Sequence, residues 1–144
     1  MSARPRDQTP AEVWTFEGDE VRARADDLAT EEPLEIRLGG AGTDPRRSVA
    51  ITMRTPGADF DLAAGFLYTE GILRRREDLE AIGYCTDARL QDDRRYNIVN
   101  VDLARAARPD LKTLDRHFYT TSACGVCGKA SLDALRIHGA PAIA

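Results

Sequence analysis

Two of the three cysteines in this chain stand close together in TTSACGVCGKASLDAL, residues 120–135. A Cys-x-x-Cys pair can be half of a zinc site, a disulfide redox pair, or a place where a thiolate carries sulfur as a persulfide. The chemistry of Cys124 and Cys127 therefore decides which function the sequence supports.

The zinc and redox alternatives each lack a part that the chemistry needs. A structural zinc ion takes four ligands at tight spacing, and the remaining candidates, Cys85, His117 and His138, do not repeat such spacing. A thioredoxin-like pair has its cysteines before a helix, as here, but follows a βαβ pattern that this chain does not show. Both alternatives remain open on the residues alone.

The persulfide alternative uses the same helix start for a different purpose. A thiolate at Cys124 can attack a sulfur donor and hold the extra atom, while Cys127 assists its release or holds the loop. Gly125 and Gly128 leave the backbone open to a large ligand, and Lys129 adds a positive charge within one turn. Glycines and hydroxyl residues around the pair favour an exposed loop over two cysteines buried in a core.

The composition is that of one globular domain. The chain has 144 residues, of which 42% are hydrophobic and 31% charged. Its net charge of -4 and pI of about 5.2 argue against nucleic-acid binding. It shows neither an apolar run long enough to span a bilayer nor the apolar stretch of a secretory signal, so we expect a cytoplasmic protein with reduced thiols.

The elements before the cysteines read as strands and one clear helix. Residues 1–10 are polar and predict a disordered tail, and the remaining residues, 11–144, predict one domain. Alternating apolar residues predict a short strand at Trp14 and Phe16, and a hairpin whose strands are residues 33–38 and 48–54. The glycine-rich residues 39–47 predict its loop, and no Gly-Lys-Ser/Thr follows that would make them a phosphate loop.

The helix follows the second strand of that hairpin. Apolar residues at helical spacing predict a helix in ADFDLAAGFLYTEGIL, residues 58–73, with Gly71 as its end. Arg54 then stands at a strand end just before a helix start, a place suited to binding an anionic group or to lying at the surface. Residues 94–103 predict a further strand, residues 129–138 a last helix, and Cys85 a core thiol. The order of elements favours an α/β or α+β fold with a mixed sheet.

Four stretches in order resemble one known family. They are EEPLEIRL, VAITMRTPGADFDLAAGFLYTEGI, YNIVNVDL and TTSACGVCGKASLDAL, and they cover nearly all of the chain beyond its first ten residues. Together they are similar to the formate dehydrogenase accessory sulfurtransferases, the FdhD/NarQ family. Members of that family are much longer, so the chain resembles an N-terminal portion that is incomplete at its C-terminus.

The resemblance implies a function for the cysteines. Proteins of this family take sulfur from a cysteine desulfurase and pass it to the molybdenum cofactor, as bis-molybdopterin guanine dinucleotide, for formate dehydrogenase. It implies Cys124 as the persulfide carrier, Cys127 as the second thiol, no bound metal, a homodimer, and a three-layer fold similar to cytidine deaminase. We expect Arg54, Gly125 and Lys129 to contact the cofactor. The alternative is a non-enzymatic module that docks the desulfurase or formate dehydrogenase.

Overall fold

The structure, a computed structural model, describes residues 6–40, 45–90 and 92–107, which form a mixed α+β fold. The elements in chain order are β1 (Gln8–Glu17), β2 (Glu20–Ala29), β3 (Glu32–Gly40), β4 (Arg47–Arg54), α1 (Asp59–Thr69), β5 (Leu79–Tyr84), α2 (Asp92–Arg95) and β6 (Ile98–Leu103). A short 3-10 turn at Arg76–Asp78 precedes β5. The fold class expected from the sequence is thus confirmed.

In the described part of the chain, four strands make the main sheet, in the order β4-β3-β6-β5. β3 pairs antiparallel with β4, as the hairpin prediction requires, and pairs parallel with β6 on its other edge. β5 closes the sheet antiparallel to β6. The predicted strands at residues 33–38, 48–54 and 94–103 are confirmed as β3, β4 and β6, and β3 and β6 form the centre of the sheet.

The hydrophobic core lies between one face of this sheet and α1. Leu34, Ile36 and Leu38 alternate along β3 and are all but inaccessible to solvent, as expected for strand side chains that share one face. They pack in one cluster with Ala63 and Leu67 of α1. The helix therefore covers the sheet with the apolar stripe that its spacing predicted.

The helix has the boundaries that its sequence indicates. Asp59 and Asp61 lie in its first turn, where negative charge favours the helix dipole. Gly71 follows the last turn with φ of +73°, a left-handed conformation that glycine adopts readily. Residues 55–58, which contain a proline and a glycine, separate α1 from β4.

The N-terminal part of the chain differs from its prediction in two ways. The tail predicted over residues 1–10 is too long, because Gln8, Thr9 and Pro10 already belong to β1 and face Ala29, Leu28 and Asp27. β2 was not predicted at all, since five charged residues interrupt any apolar alternation in it. β1 and β2 form a separate two-stranded sheet, which we call the ribbon, residues 8–29.

The glycine-rich segment also differs from its prediction as a loop. Gly39 and Gly40 are the end of β3 and lie beside Asp102 and Leu103 of β6. A Cβ on Gly40 would clash with the carbonyl oxygen of Leu103, and the φ of Gly40 is +72°. Only glycine suits this close approach of two backbones, so the glycine pair allows β3 and β6 to lie side by side.

The expected last helix, residues 129–138, lies outside the described residues. Within the described ranges no helix is long and apolar enough to cross a membrane.

Candidate functional site

Of the predicted site residues, Arg54 alone lies within the described part of the chain. Cys124, Cys127, Gly125 and Lys129 lie outside it. The geometry that follows is therefore that of the corner where β4 ends and α1 begins.

Arg54 is held in a bidentate ion pair with the first residue of α1. Its Nε and Nη2 donate to Oδ1 and Oδ2 of Asp59, each at 3.0 Å. The side chains of both residues are almost wholly buried, with 4% and 2% of their surface exposed. Two parallel charge-assisted bonds fix both distance and orientation, so the pair clamps the start of α1 against the end of β4.

The same guanidinium also reaches the neighbouring strands. Nη2 donates to Oδ1 of Asn97 at 2.9 Å and to the carbonyl oxygen of Tyr96 at 3.1 Å, just before β6. Nη1 lies 3.4 Å from a carboxylate oxygen of Glu32, where β3 begins. Arg54 thus joins the ends of three strands and the helix at one edge of the sheet.

An aromatic cluster lies beside this arginine. The Tyr84 hydroxyl donates to Asp59 Oδ2 at 3.1 Å. The ring of Tyr84 is 4.8 Å from that of Phe60 and 5.2 Å from that of Tyr96, the latter at an edge-to-face angle of 77°. These are favourable aromatic geometries, and they give the buried carboxylate a further donor that is itself fixed by packing.

The corner has a structural role that the sequence only partly indicated. Arg54 was expected at a strand end before a helix start, and it lies there. Its contact with an anionic group of the cofactor stays a prediction, since the contacts on Nε and Nη2 are within the chain. The sequence pattern did not identify Asp59 as its partner. The signal that could have done so is the arginine five residues earlier, across a Pro-Gly turn.

A second polar group lies on the face of the sheet away from the core cluster. Glu35 is 1% exposed and accepts a bond of 2.7 Å from Nε of Arg37 on the same strand. Oδ1 of Asn100, on the neighbouring β6, is buried and has no hydrogen-bond partner among the described residues. Arg46 makes two bonds to the carboxylate of Asp102, of 2.8 and 3.1 Å. This face thus places polar groups beside the buried Ile51 and Ile98, whereas the α1 face is apolar.

Among the described residues, Asp78 and Asp87 have pKa values below the ordinary value of 3.8. That of Asp78 is lowered chiefly because its carboxylate accepts the backbone N–H of Arg74, and also that of Arg75. The pKa of Asp87 falls to about 2, chiefly through the hydrogen bond from the side chain of Arg89. Each carboxylate thus accepts hydrogen bonds within a local turn, and these bonds stabilise its charged form.

The third cysteine lies where the sequence placed it. Cys85 follows β5, is 7% exposed, and its N–H donates to the carbonyl oxygen of Ile98 at 3.0 Å. The core-thiol prediction is confirmed. In the ranges 6–40, 45–90 and 92–107 there is no group of three or more His, Cys, Asp and Glu side chains placed to bind a metal ion.

Comparison with known proteins gives a family match. The model of the FdhD/NarQ family matches residues 29–142, a segment that includes Arg54, Asp59 and both cysteines of the CGVC motif. The match begins at the last residue of β2, so the ribbon precedes almost all of it.

Individual relatives and one solved structure agree with that match. A protein from Streptomyces coelicolor named sulfur carrier protein FdhD is 55% identical over 117 residues, which are 81% of this chain and 39% of that protein. One of the same name from Mycolicibacterium paratuberculosis is 54% identical over 115 residues, 79% of this chain and 40% of that protein. The chain therefore spans about two fifths of the length of these relatives.

The solved structure, from Desulfotalea psychrophila, is described as a formate dehydrogenase accessory protein. It superposes with a TM-score of 0.53 at 18% identity and covers 72% of this chain and 38% of the other. At that identity the likeness concerns the fold.

Proposed function

The chain belongs to the FdhD/NarQ family, and from that premise we propose that it carries sulfur as a persulfide on Cys124. The sulfur comes from a cysteine desulfurase and goes to bis-molybdopterin guanine dinucleotide, which formate dehydrogenase then receives in the cytoplasm. The observation that carries the proposal is the CGVC motif within the matched residues 29–142. The relatives named sulfur carrier proteins support it.

The loading step is a thiol exchange. The Cys124 thiolate attacks the outer sulfur of the donor's persulfide, the donor's S–S bond breaks, and a new S–S bond forms on Cys124. The donor leaves as a thiolate, so no outside oxidant or reductant is required. A thiolate suits this role because it is both a strong nucleophile and able to hold sulfur reversibly.

The neighbours of Cys124 have supporting roles in this proposal. Cys127 is the second thiol and assists the release of sulfur, while Gly125 admits the cofactor close to the backbone. Lys129 attracts the cofactor's phosphates, and the protein acts as a homodimer. Arg54 contributes by fixing the β4–α1 corner, through the bidentate bond to Asp59.

The test is intact-mass spectrometry of the chain after incubation with a cysteine desulfurase and free cysteine. We expect a gain of one sulfur atom that a reductant removes, and its complete loss in Cys124→Ala. Cys85→Ala is the matched control, since Cys85 is buried and should leave the gain unchanged. Sulfur retained in Cys124→Ala would refute the assignment of the carrier.

A second candidate function follows from the length of the chain. It spans about two fifths of the relatives it matches, and a portion can keep a docking surface without the complete reaction. The alternative is a non-enzymatic module that binds the desulfurase or formate dehydrogenase. No mass gain on a folded chain whose thiols are free, together with binding to either enzyme, would favour this module.

A further inference from the structure

The ribbon is a separate element with one apolar face. Within residues 6–40, 45–90 and 92–107, β1 and β2 pair only with each other, and a tight turn at Gly18 and Asp19 joins them. A two-stranded hairpin is marginally stable alone in water. The ribbon also precedes almost all of the segment that the family model matches.

The strand register places large apolar side chains together. Phe16 lies opposite Val21, and Trp14 lies opposite Ala23. Residues directly opposite in an antiparallel pair share a face. The exposed fractions of Phe16, Trp14 and Val21 are 72%, 59% and 50%. We call this the apolar face of the ribbon.

Charge is distributed unevenly over the molecule. Residues 8–29 hold six carboxylates and two arginines, a net charge of -4, whereas the rest of the chain holds 18 acidic and 18 basic residues. The whole net charge of the chain thus comes from the ribbon.

The two faces of the ribbon differ in the charges they present. Arg22 and Arg24 lie opposite Thr15 and Val13, on the face away from Trp14. Each arginine is also paired within β2, with Glu20 and Asp26 respectively. On the apolar face the charged residues are the acidic Glu12 and Asp27.

We propose that the apolar face of the ribbon docks a partner protein whose own surface is apolar at its centre and carries lysine or arginine at its rim. Acidic groups beside exposed aromatic side chains complement such a surface in both charge and hydrophobicity. A second copy of this chain fits less well, because two faces with only acidic groups repel each other.

The size of the face sets the kind of complex. Ten-residue strands are about 33 Å long and a pair of them is about 10 Å wide, which gives a face of roughly 330 Å². Each partner in a stable complex buries about 800 Å². The contact is therefore transient and salt-sensitive, as suits a protein that exchanges a group with its partner and then leaves.

The test uses Trp14, the only tryptophan of the chain. Chain labelled with 5-fluorotryptophan gives a single fluorine NMR resonance, from the apolar face. The probes are a cysteine desulfurase and a formate dehydrogenase free of cofactor, so the choice of probes rests on the proposed function. We expect one of them to shift or broaden the resonance, with an effect that weakens as salt rises from about 0.05 to about 0.5 M.

Two charge variants and one apolar variant separate the faces. Glu12→Lys, on the apolar face, should weaken binding about tenfold, and Phe16→Ser should weaken it by a similar factor. Glu17→Lys makes the same change of charge on the opposite face, where Glu17 lies opposite Glu20. It should change the affinity less than twofold.

Each outcome decides the proposal. An unchanged resonance with both probes overturns it, and so does equal weakening by Glu12→Lys and Glu17→Lys. A resonance that shifts with the concentration of the chain alone identifies a second copy as the occupant and also overturns it. If Cys124 gains sulfur while the resonance does not move, the docking proposal fails and the proposed function stands. If the resonance shifts while Cys124 gains no sulfur, the docking proposal stands and the proposed function fails.

Discussion

The two hairpins of this chain have the same topology and opposite environments. β1–β2 and β3–β4 are both antiparallel pairs of similar length. β3 is buried along most of its length, whereas β2 is exposed at nearly every residue. Pairing alone therefore does not determine burial here. The β3–β4 hairpin is covered by α1 and flanked by β6, and the free energy of folding comes from that packing.

The largest effect should follow from breaking the ion pair in the four-stranded part. Arg54→Met leaves Asp59 charged and buried without its main partner, so we expect a loss of about 3–5 kcal/mol in the free energy of unfolding. Urea denaturation followed by far-UV circular dichroism measures it.

A double-mutant cycle supplies the control for Arg54. Asp59→Asn removes the charge that Arg54→Met would strand, so the double variant should lose less than the two single losses added together. Strict additivity of the two losses would contradict the assigned coupling.

The same contrast explains which parts of the fold the sequence could predict. Apolar residues alternate in β3 and recur at helical spacing in α1, because a buried face constrains the pattern. β2 is exposed at nearly every residue and packs on no core formed by the described residues, so no such constraint shows in its sequence. Its one local indication was Gly18-Asp19, a dipeptide typical of two-residue hairpin turns, and Gly18 indeed has φ of +62°.

The sequence predicted where Arg54 lies, and it did not predict which residues bind its guanidinium. Arg54 stands at the strand end that the pattern predicted. Its bonds to Asn97 and Tyr96 join residues more than forty positions apart, and only the pairing of β3 with β6 brings them together. A parallel pairing of that kind follows from tertiary packing, which a local pattern does not encode. Cys124 and Cys127 were identified as site residues from the motif and the resemblance alone.

A smaller effect should appear in the pH dependence of stability. The folded-state pKa of Asp78 lies below 3.8, first through the backbone N–H of Arg74. A carboxylate whose pKa is lowered on folding stabilises the protein above its unfolded pKa, and this is lost as pH falls through the folded pKa. We therefore expect the urea concentration at the unfolding midpoint to decrease once the pH is lowered below about 4. In Asp78→Asn that part of the fall should disappear.

The neighbouring residue gives the control for Asp78. Glu77 is exposed in the same 3-10 turn, so Glu77→Gln should keep the pH profile of the unmodified chain. An unchanged profile in Asp78→Asn would show that the turn before β5 does not contribute to acid sensitivity.

The smallest effect should come from the ribbon, and it bears on both the fold and the docking proposal. Phe16 is 72% exposed, so Phe16→Ser should change the free energy of unfolding by no more than about 0.5 kcal/mol. Leu103→Ala is the matched test in β6, where the side chain is fully buried and its truncation should cost about 2–5 kcal/mol. A loss above about 1 kcal/mol in Phe16→Ser would mean that the ribbon packs on the rest of the chain. The apolar face would then belong to the core and not to a partner, whereas a near-zero change leaves binding as the reason for three large apolar side chains in water.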